Sequence, residues 1–296
     1  MNSVQDDRVL LITRIVAIVV IVILLLAFLV LYLQPDHTDA NFAWTVLPRT
    51  SAILMGAGYT AGAYFFLRLL TDRKWHRVQA GFLPIAAFTV CMLVATLLHF
   101  DRFHQGARAF YMWTVVYAIT PFLVPLIWWR NQRTEARGLE QHDLVFSQAT
   151  RWGLRAVAVA GLLAFVAVFI QPSILISLAA WKLTPLTARI FAGWSILTFA
   201  SVLSIANDGR WSAARTMLES AMVGLVLTLL AVPRIWNDLD PANPMTYAFV
   251  GGAVATLFVF VFLRVWLDRS SRFARSLPRP NKKDDWAAAQ SAGEAR

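Results

Sequence analysis

Nineteen consecutive residues, Ile15 to Leu33, carry no charge and, apart from the Tyr32 hydroxyl, no polar side-chain atom. About 20 helical residues cross a ~30 Å hydrocarbon layer, and inside that layer every backbone N–H and C=O must be bonded within its own segment. Runs of similar character recur along the chain. They are too long for buried strands and lack the polar–apolar alternation of a membrane barrel. The expected fold class is an all-α polytopic membrane protein with eight transmembrane helices, at about Leu10–Leu33, Pro48–Leu70, Val78–Leu98, Ala109–Trp129, Leu154–Ile170, Pro185–Ala206, Ser212–Val232 and Met245–Trp266. Composition agrees: 15% of the 296 residues are charged, against roughly 25% in a soluble domain. The first run is too long for a signal-peptide core and no small-residue cleavage site follows it, so it reads as a retained span.

Basic residues fix the expected orientation. Arg68, Arg73, Lys74 and Arg77 follow the second span; Arg130, Arg133, Arg137, Arg151 and Arg155 lie around the central loop; Arg210 and Arg215 follow the sixth span. More basic residues crowd the C-terminal tail, while the alternate loops hold few. The positive-inside rule then predicts cytoplasmic termini in the cytoplasmic (plasma) membrane. It also accounts for the formal charge of +10 without nucleic acid, because the charge sits at span ends and not on one soluble face. Tryptophans at span ends, among them Trp44, Trp75, Trp181, Trp211 and Trp266, are expected to form aromatic belts at the two interfaces. Proline at the first turn of two spans suits helix starts.

The chain also reads as one unit written twice. Trp44, Pro48, Thr50 and Gly56 match Trp181, Pro185, Thr187 and Gly193, each pair 137 positions apart. Gln34-Pro35 matches Gln171-Pro172, Arg73 matches Arg210, and Asp101 matches Asp238 at the same offset. Four spans per unit is an even number, so two tandem repeats would be parallel, related by an axis along the membrane normal. The expected organisation is a first four-helix repeat over 1–133, a cytoplasmic linker over 134–150, a second four-helix repeat over 151–270 and a basic, disordered tail over 271–296.

Span interiors hold almost no ionisable groups, Glu219 being the main exception. Arg215, one turn earlier on the same helical face, supplies a structural partner, which competes with a functional role for an intramembrane acid. The outer ends are richer. Arg49, His99, Asp101, Arg189, Arg234 and Asp238 are the expected ligand-binding or gating residues, converging on an outward pocket where guanidinium forks would hold a small charged or zwitterionic ligand. The competing reading is that these pairs only pin loops and helix ends. His99, Asp101 and His104 have a spacing that zinc would accept, but too few partners, so no metal site is expected. Neither is a haem, nor any other cofactor. Gly56, Gly58 and Gly62 form a small-residue face for helix packing, with Gly251-Gly252 expected to act likewise. The apolar segment Ser173–Leu178, outside the membrane by topology, suits an interfacial position or a partner contact.

No phosphate loop, nucleophile elbow or paired metal-binding acid motif occurs, which weighs against an enzyme. The functional expectation is a membrane protein that binds or translocates a small solute or lipid at an outward-facing site between its repeats. The competing class is a non-catalytic membrane subunit or assembly factor, working as a homo-oligomer or with a partner membrane protein.

Overall fold

The computed structural model describes residues 6–135 and 143–276, the last six of them by backbone only. The middle of the linker and the tail from 277 onward lie outside the described residues. Among the described residues the chain is helical and contains no strand. Eight helices are long and apolar enough to cross a membrane: α1 Leu11–Leu33, α2 Arg49–Thr71, α3 Gln79–Leu98, α4 Arg108–Thr134, α5 Gln148–Ile170, α6 Pro185–Asp208, α7 Trp211–Asp238 and α8 Pro244–Ser270. The last of these continues as helix to Ser276, six residues into the expected tail.

Local chemistry explains the ends of the second-half helices. Ser147 accepts a hydrogen bond from Thr150 N at the start of α5, and Thr184 accepts one from Thr187 N at the start of α6, where Pro185 loses nothing by lacking an N–H. Gly209 ends α6 in the left-handed region, φ 80°, which a residue with a Cβ enters only with strain. The starts of α1 and α2 have no such local cap. Each is closed by a side chain from far along the chain, Asn131 for α1 and Asp238 for α2.

Packing follows a regular plan. Helix α1 packs on α2 and α3 on α4; likewise α5 packs on α6 and α7 on α8. The two halves meet where α2 packs on α7 and α3 on α6. A four-helix centre of α2, α3, α6 and α7 is thus flanked by the other four. Where the halves meet, Ala52, Met55 and Tyr59 of α2, Phe88 and Met92 of α3, and Ile190 of α6 belong to one buried cluster. A second seam, Ile53 and Ala57 of α2 against Ala231 and Ile235 of α7, is equally closed.

The loop after α2 bonds to the segment before α1, and the loop after α6 to the segment before α5. On the face that carries the start of α1, Trp75 N donates to Asp7 O (2.8 Å) and Val9 N to Arg73 O (3.4 Å). The second half has matching bonds, Trp211 N to Leu144 O (2.9 Å) and Phe146 N to Gly209 O (2.8 Å). The Asp7 carboxylate takes His76 N and its ring; the Asp143 carboxylate takes Ser212 N and its hydroxyl. Arg210 then ties the halves together through Asp208 (2.7 Å) and Glu135 (3.2 Å), and the bond to Asp208 holds its guanidinium well above the ordinary arginine value.

The tryptophans expected at the interfaces differ in exposure. Trp129, Trp152, Trp236 and Trp266 are exposed at helix ends. Trp44, Trp75 and Trp211 are buried instead. The indole N–H of Trp75 reaches Gln132 Oε1 (2.9 Å) and that of Trp211 reaches Asp268 Oδ1 (3.2 Å), so each finds inside the protein the polar partner that an interface would have provided. The small-residue face of α2 is occupied as expected: a Cβ on Gly56 would meet Tyr32 at 2.7 Å, and one on Gly58 would meet the Trp194 ring at 3.0 Å. At Gly251 and Gly252 an added Cβ would meet no atom of the described residues within 4 Å.

Candidate functional site at the far face

The face opposite the start of α1 is assembled from the loops before α2 and α6 and the turns after α3 and α7. Main-chain bonds lock these together: His104 N donates to Ala43 O in the first half and Asp240 N to Ala180 O in the second, both 2.9 Å. The turn Trp236–Asp238 ends α7 directly above the start of α2.

The six expected residues do not form one cluster. They divide into separate contacts, three of which bridge the halves of the chain. Asp238 Oδ2 accepts from Thr50 Oγ1 (2.8 Å) and Thr50 N (3.2 Å), and Arg49 Nε stands 3.5 Å from the same oxygen. Arg189 Nη1 lies 2.7 Å from His99 Nε2, and its remaining nitrogens donate to Phe169 O (3.0 Å) and Ile170 O (3.3 Å) at the end of α5. Arg234 donates to Tyr32 O (3.0 Å) and lies over the Tyr32 ring. Asp101 stands apart, 72% exposed and paired with its neighbour Arg102.

Magnitudes separate the roles at Asp238. Its ion pair with the part-exposed Arg49 contributes about 0–1 kcal/mol. Thr50 is wholly buried, and leaving its donors without an acceptor would cost about 1–3 kcal/mol. Asp238 therefore acts first as the missing cap of α2 and only second as an ion-pair partner. At His99, burial and then the adjacent Arg189 charge hold the imidazole below the ordinary histidine value. The neutral ring accepts from Arg189 through Nε2. His104 bonds Thr45 and the Phe42 carbonyl region, away from His99. Among the described residues no group of histidine, cysteine and carboxylate side chains is arranged to hold a metal.

A cavity of about 530 Å³ opens beside Asp238, lined by Leu47, Pro48, Lys182, Leu183, Thr184 and Asp238. Its walls come from the two loops that start α2 and α6, one from each half. Lys182 is exposed and forms no ion pair with any described residue. Asp238 commits Oδ2 to Thr50 and Arg49, while Oδ1 takes no hydrogen bond from the described residues. Lys182 and Asp238 thus both line the cavity, with Leu47, Pro48 and Leu183 as apolar wall. Lys182 and Leu183 were visible in the sequence only as part of the repeated Trp-x-x-x-Pro stretch; a single lysine in a loop carries no pattern that marks it.

No protein-family model, curated protein or solved structure matches the chain.

Proposed function

We propose that this multi-pass membrane protein consists of two parallel four-helix repeats and binds a small zwitterionic solute or lipid headgroup in the far-face cavity between them. The observation that carries the reading is the presence of Lys182 and Asp238 in the lining of one apolar-walled cavity built from both halves. Lys182 would take the anionic group of the ligand, Asp238 the cationic one, and Arg49 with Thr50 would hold the Asp238 carboxylate in position. His99–Arg189 and Arg234–Tyr32 fasten the surrounding helix ends. Arg49, His99, Arg189, Arg234 and Asp238 so keep a place at or around the site, with Asp101 at its margin.

The repeat reading is supported by the exchange of partners, α2 with α7 and α3 with α6, and by the matched bonds at both faces. The excess of Lys and Arg on the face of the first turn, by the positive-inside rule, directs the cavity out of the cell and both termini into the cytoplasm of a plasma-membrane protein. Binding is favoured over translocation because Met55, Tyr59, Phe88 and Met92 fill the seam beneath the cavity.

A photoreactive benzoylphenylalanine at Leu183, irradiated in native membranes, tests this. The expected product is protein carrying an adduct of lipid or metabolite mass, lost when Lys182→Glu is added. Absence of any such adduct would sink the binding role. The second reading, a subunit or assembly factor, draws on the short exposed apolar helix Ser173–Leu178, and crosslinking to another polypeptide from Leu178 would favour it.

A further inference from the structure

At the opposite face, within the helices, three arginines from three helices converge on one glutamate. Glu219 of α7 accepts from Arg215 Nε (3.1 Å), from Arg264 of α8 through Nε and Nη2 (2.9 and 2.8 Å) and from the Tyr64 hydroxyl of α2 (2.9 Å). Arg68 Nε of α2 stands 3.4 Å from the second glutamate oxygen. Asp268, one turn beyond Arg264, takes that arginine's Nη1. The Arg215–Glu219 pair expected from sequence is present, but it is one edge of a larger cluster.

The cluster has more donors than its acids can use. Three guanidinium groups carry about fifteen N–H bonds, whereas the carboxylates of Glu219, Asp268 and Asp72 offer about twelve lone-pair sites. Arg68 Nε is buried without an aligned acceptor. Arg215 is 40% exposed, with Nη2 3.9 Å from Asp268. Arg68 is shared with Asp72, its Nη2 lying 3.5 Å from Asp72 Oδ2.

Position names the ligand. Arg215 and Glu219 lie four and eight residues into α7, about 6 and 12 Å along its axis, which is the depth of lipid headgroups and the first acyl carbons. Beside Arg264 the exposed side chains of α8 are Val261, Phe262 and Val265, a surface suited to acyl chains and not to water. Guanidinium forks match phosphate oxygens, and basic clefts between transmembrane helices suit anionic headgroups.

We propose that Arg68, Arg215 and Arg264 hold the phosphate group of an anionic membrane lipid in the leaflet at this face. The site is independent of the far-face cavity. Thermal unfolding of the full-length protein in neutral detergent, with phosphatidylglycerol, phosphatidylcholine or inorganic phosphate added, tests it. Phosphatidylglycerol should raise the midpoint by about 4 °C over equal phosphatidylcholine, and Arg215→Gln should remove at least half of that rise, while Arg102→Gln at the far face leaves it intact. Should Arg215→Gln not accumulate, Arg215→Lys replaces it, keeping the charge and losing the fork. Equal responses to the two lipids, an undiminished rise in the Arg215 variant, or a full rise with inorganic phosphate alone would each overturn the lipid site.

Discussion

Thr50 and Asp238 are 188 residues apart, yet the backbone N–H and hydroxyl of the threonine both end on one oxygen of the aspartate. The start of α2 has no cap of its own, so the second half of the chain completes a helix of the first. Asp238→Ala should lower stability by about 2 kcal/mol, because both Thr50 donors are left in a buried site. Arg49→Ala should lose under about 1 kcal/mol, the usual value of a part-exposed ion pair. Thermal unfolding of the two purified variants compares them; an Arg49 variant as damaged as the Asp238 one would mean that the ion pair, not the cap, holds the junction.

Asn131 performs the corresponding service for α1 and uses its whole hydrogen-bonding capacity. Its Oδ1 accepts from Leu10 N (3.0 Å) and Thr13 Oγ1 (2.7 Å), and its Nδ2 donates to Arg8 O (3.0 Å) and Thr134 Oγ1 (2.9 Å). The residue is fully buried. Asn131→Ala should cost about 2–4 kcal/mol by orphaning several buried groups. Asn131→Asp should be at least as harmful, since a carboxylate would then oppose the Arg8 carbonyl. Protease sensitivity of the segment before α1, followed with the unfolding midpoint, reads both effects, and a neutral aspartate variant would refute the assignment of Nδ2 as donor.

The far-face pair of His99 and Arg189 predicts a pH dependence. In the folded protein the imidazole is held below its ordinary value of about 6.5, first by burial and then by the guanidinium beside it. The unfolded chain therefore takes up this proton at a higher pH than the folded one. Stability from the contact is complete above the ordinary histidine value and is lost as pH falls through it. His99→Gln keeps an acceptor for Arg189 and cannot titrate. The difference between wild type and this variant should shrink from pH 7.5 to pH 5, as the wild type alone loses stability. Parallel unfolding curves across that range would show that the imidazole takes up its proton alike in the folded and unfolded chain, free of the arginine.

The eight spans were legible because an apolar run of that length has one physical solution, and their edges because Pro48, Pro185 and the basic clusters mark where lipid ends. Less of the rest was readable. Trp75 and Trp211 look like belt residues because one property, an apolar ring with one donor, suits both an interface and a core with Gln132 or Asp268 at hand. A match at an offset of 137 was legible, but the bonds on the α1 face mix that spacing with another: the donors Val9 and Phe146 are 137 apart. Trp75 to Trp211 and Gln132 to Asp268 are both 136 apart, and so are the turns Phe100–Arg102 and Trp236–Asp238. Under the repeat reading one residue drops out near Arg73, and Asp238 then stands opposite Arg102, not Asp101. On that reading Asp101 would sit at the place of Asn237, and the capping carboxylate would exist in one half only. Asn131 escaped notice because a single amide at a span end leaves no periodic trace.

Glycines that look alike in sequence should respond in opposite directions. A Cβ on Gly56 would lie 2.7 Å from Tyr32 Cβ and 2.9 Å from Tyr32 N, the latter backbone that cannot swing aside. Helix α1 would have to move off α2, and because Tyr32 also donates to Leu227 O of α7 (2.8 Å), the shift would reach the contact between the halves. Gly56→Ala should therefore cost about 1–3 kcal/mol, the range for overpacking a close-packed interior. Among the described residues Gly251 and Gly252 have no neighbour within 4 Å of the added carbon, so alanine there only reduces the freedom of the unfolded backbone and improves helix propensity. Each should stabilise by about 0.5–1 kcal/mol. Unfolding midpoints of the three single variants decide the matter. If Gly252→Ala were destabilising as well, α8 would have to be covered by a second protein surface that the isolated chain does not supply, and the subunit reading would gain the weight that the cavity now holds.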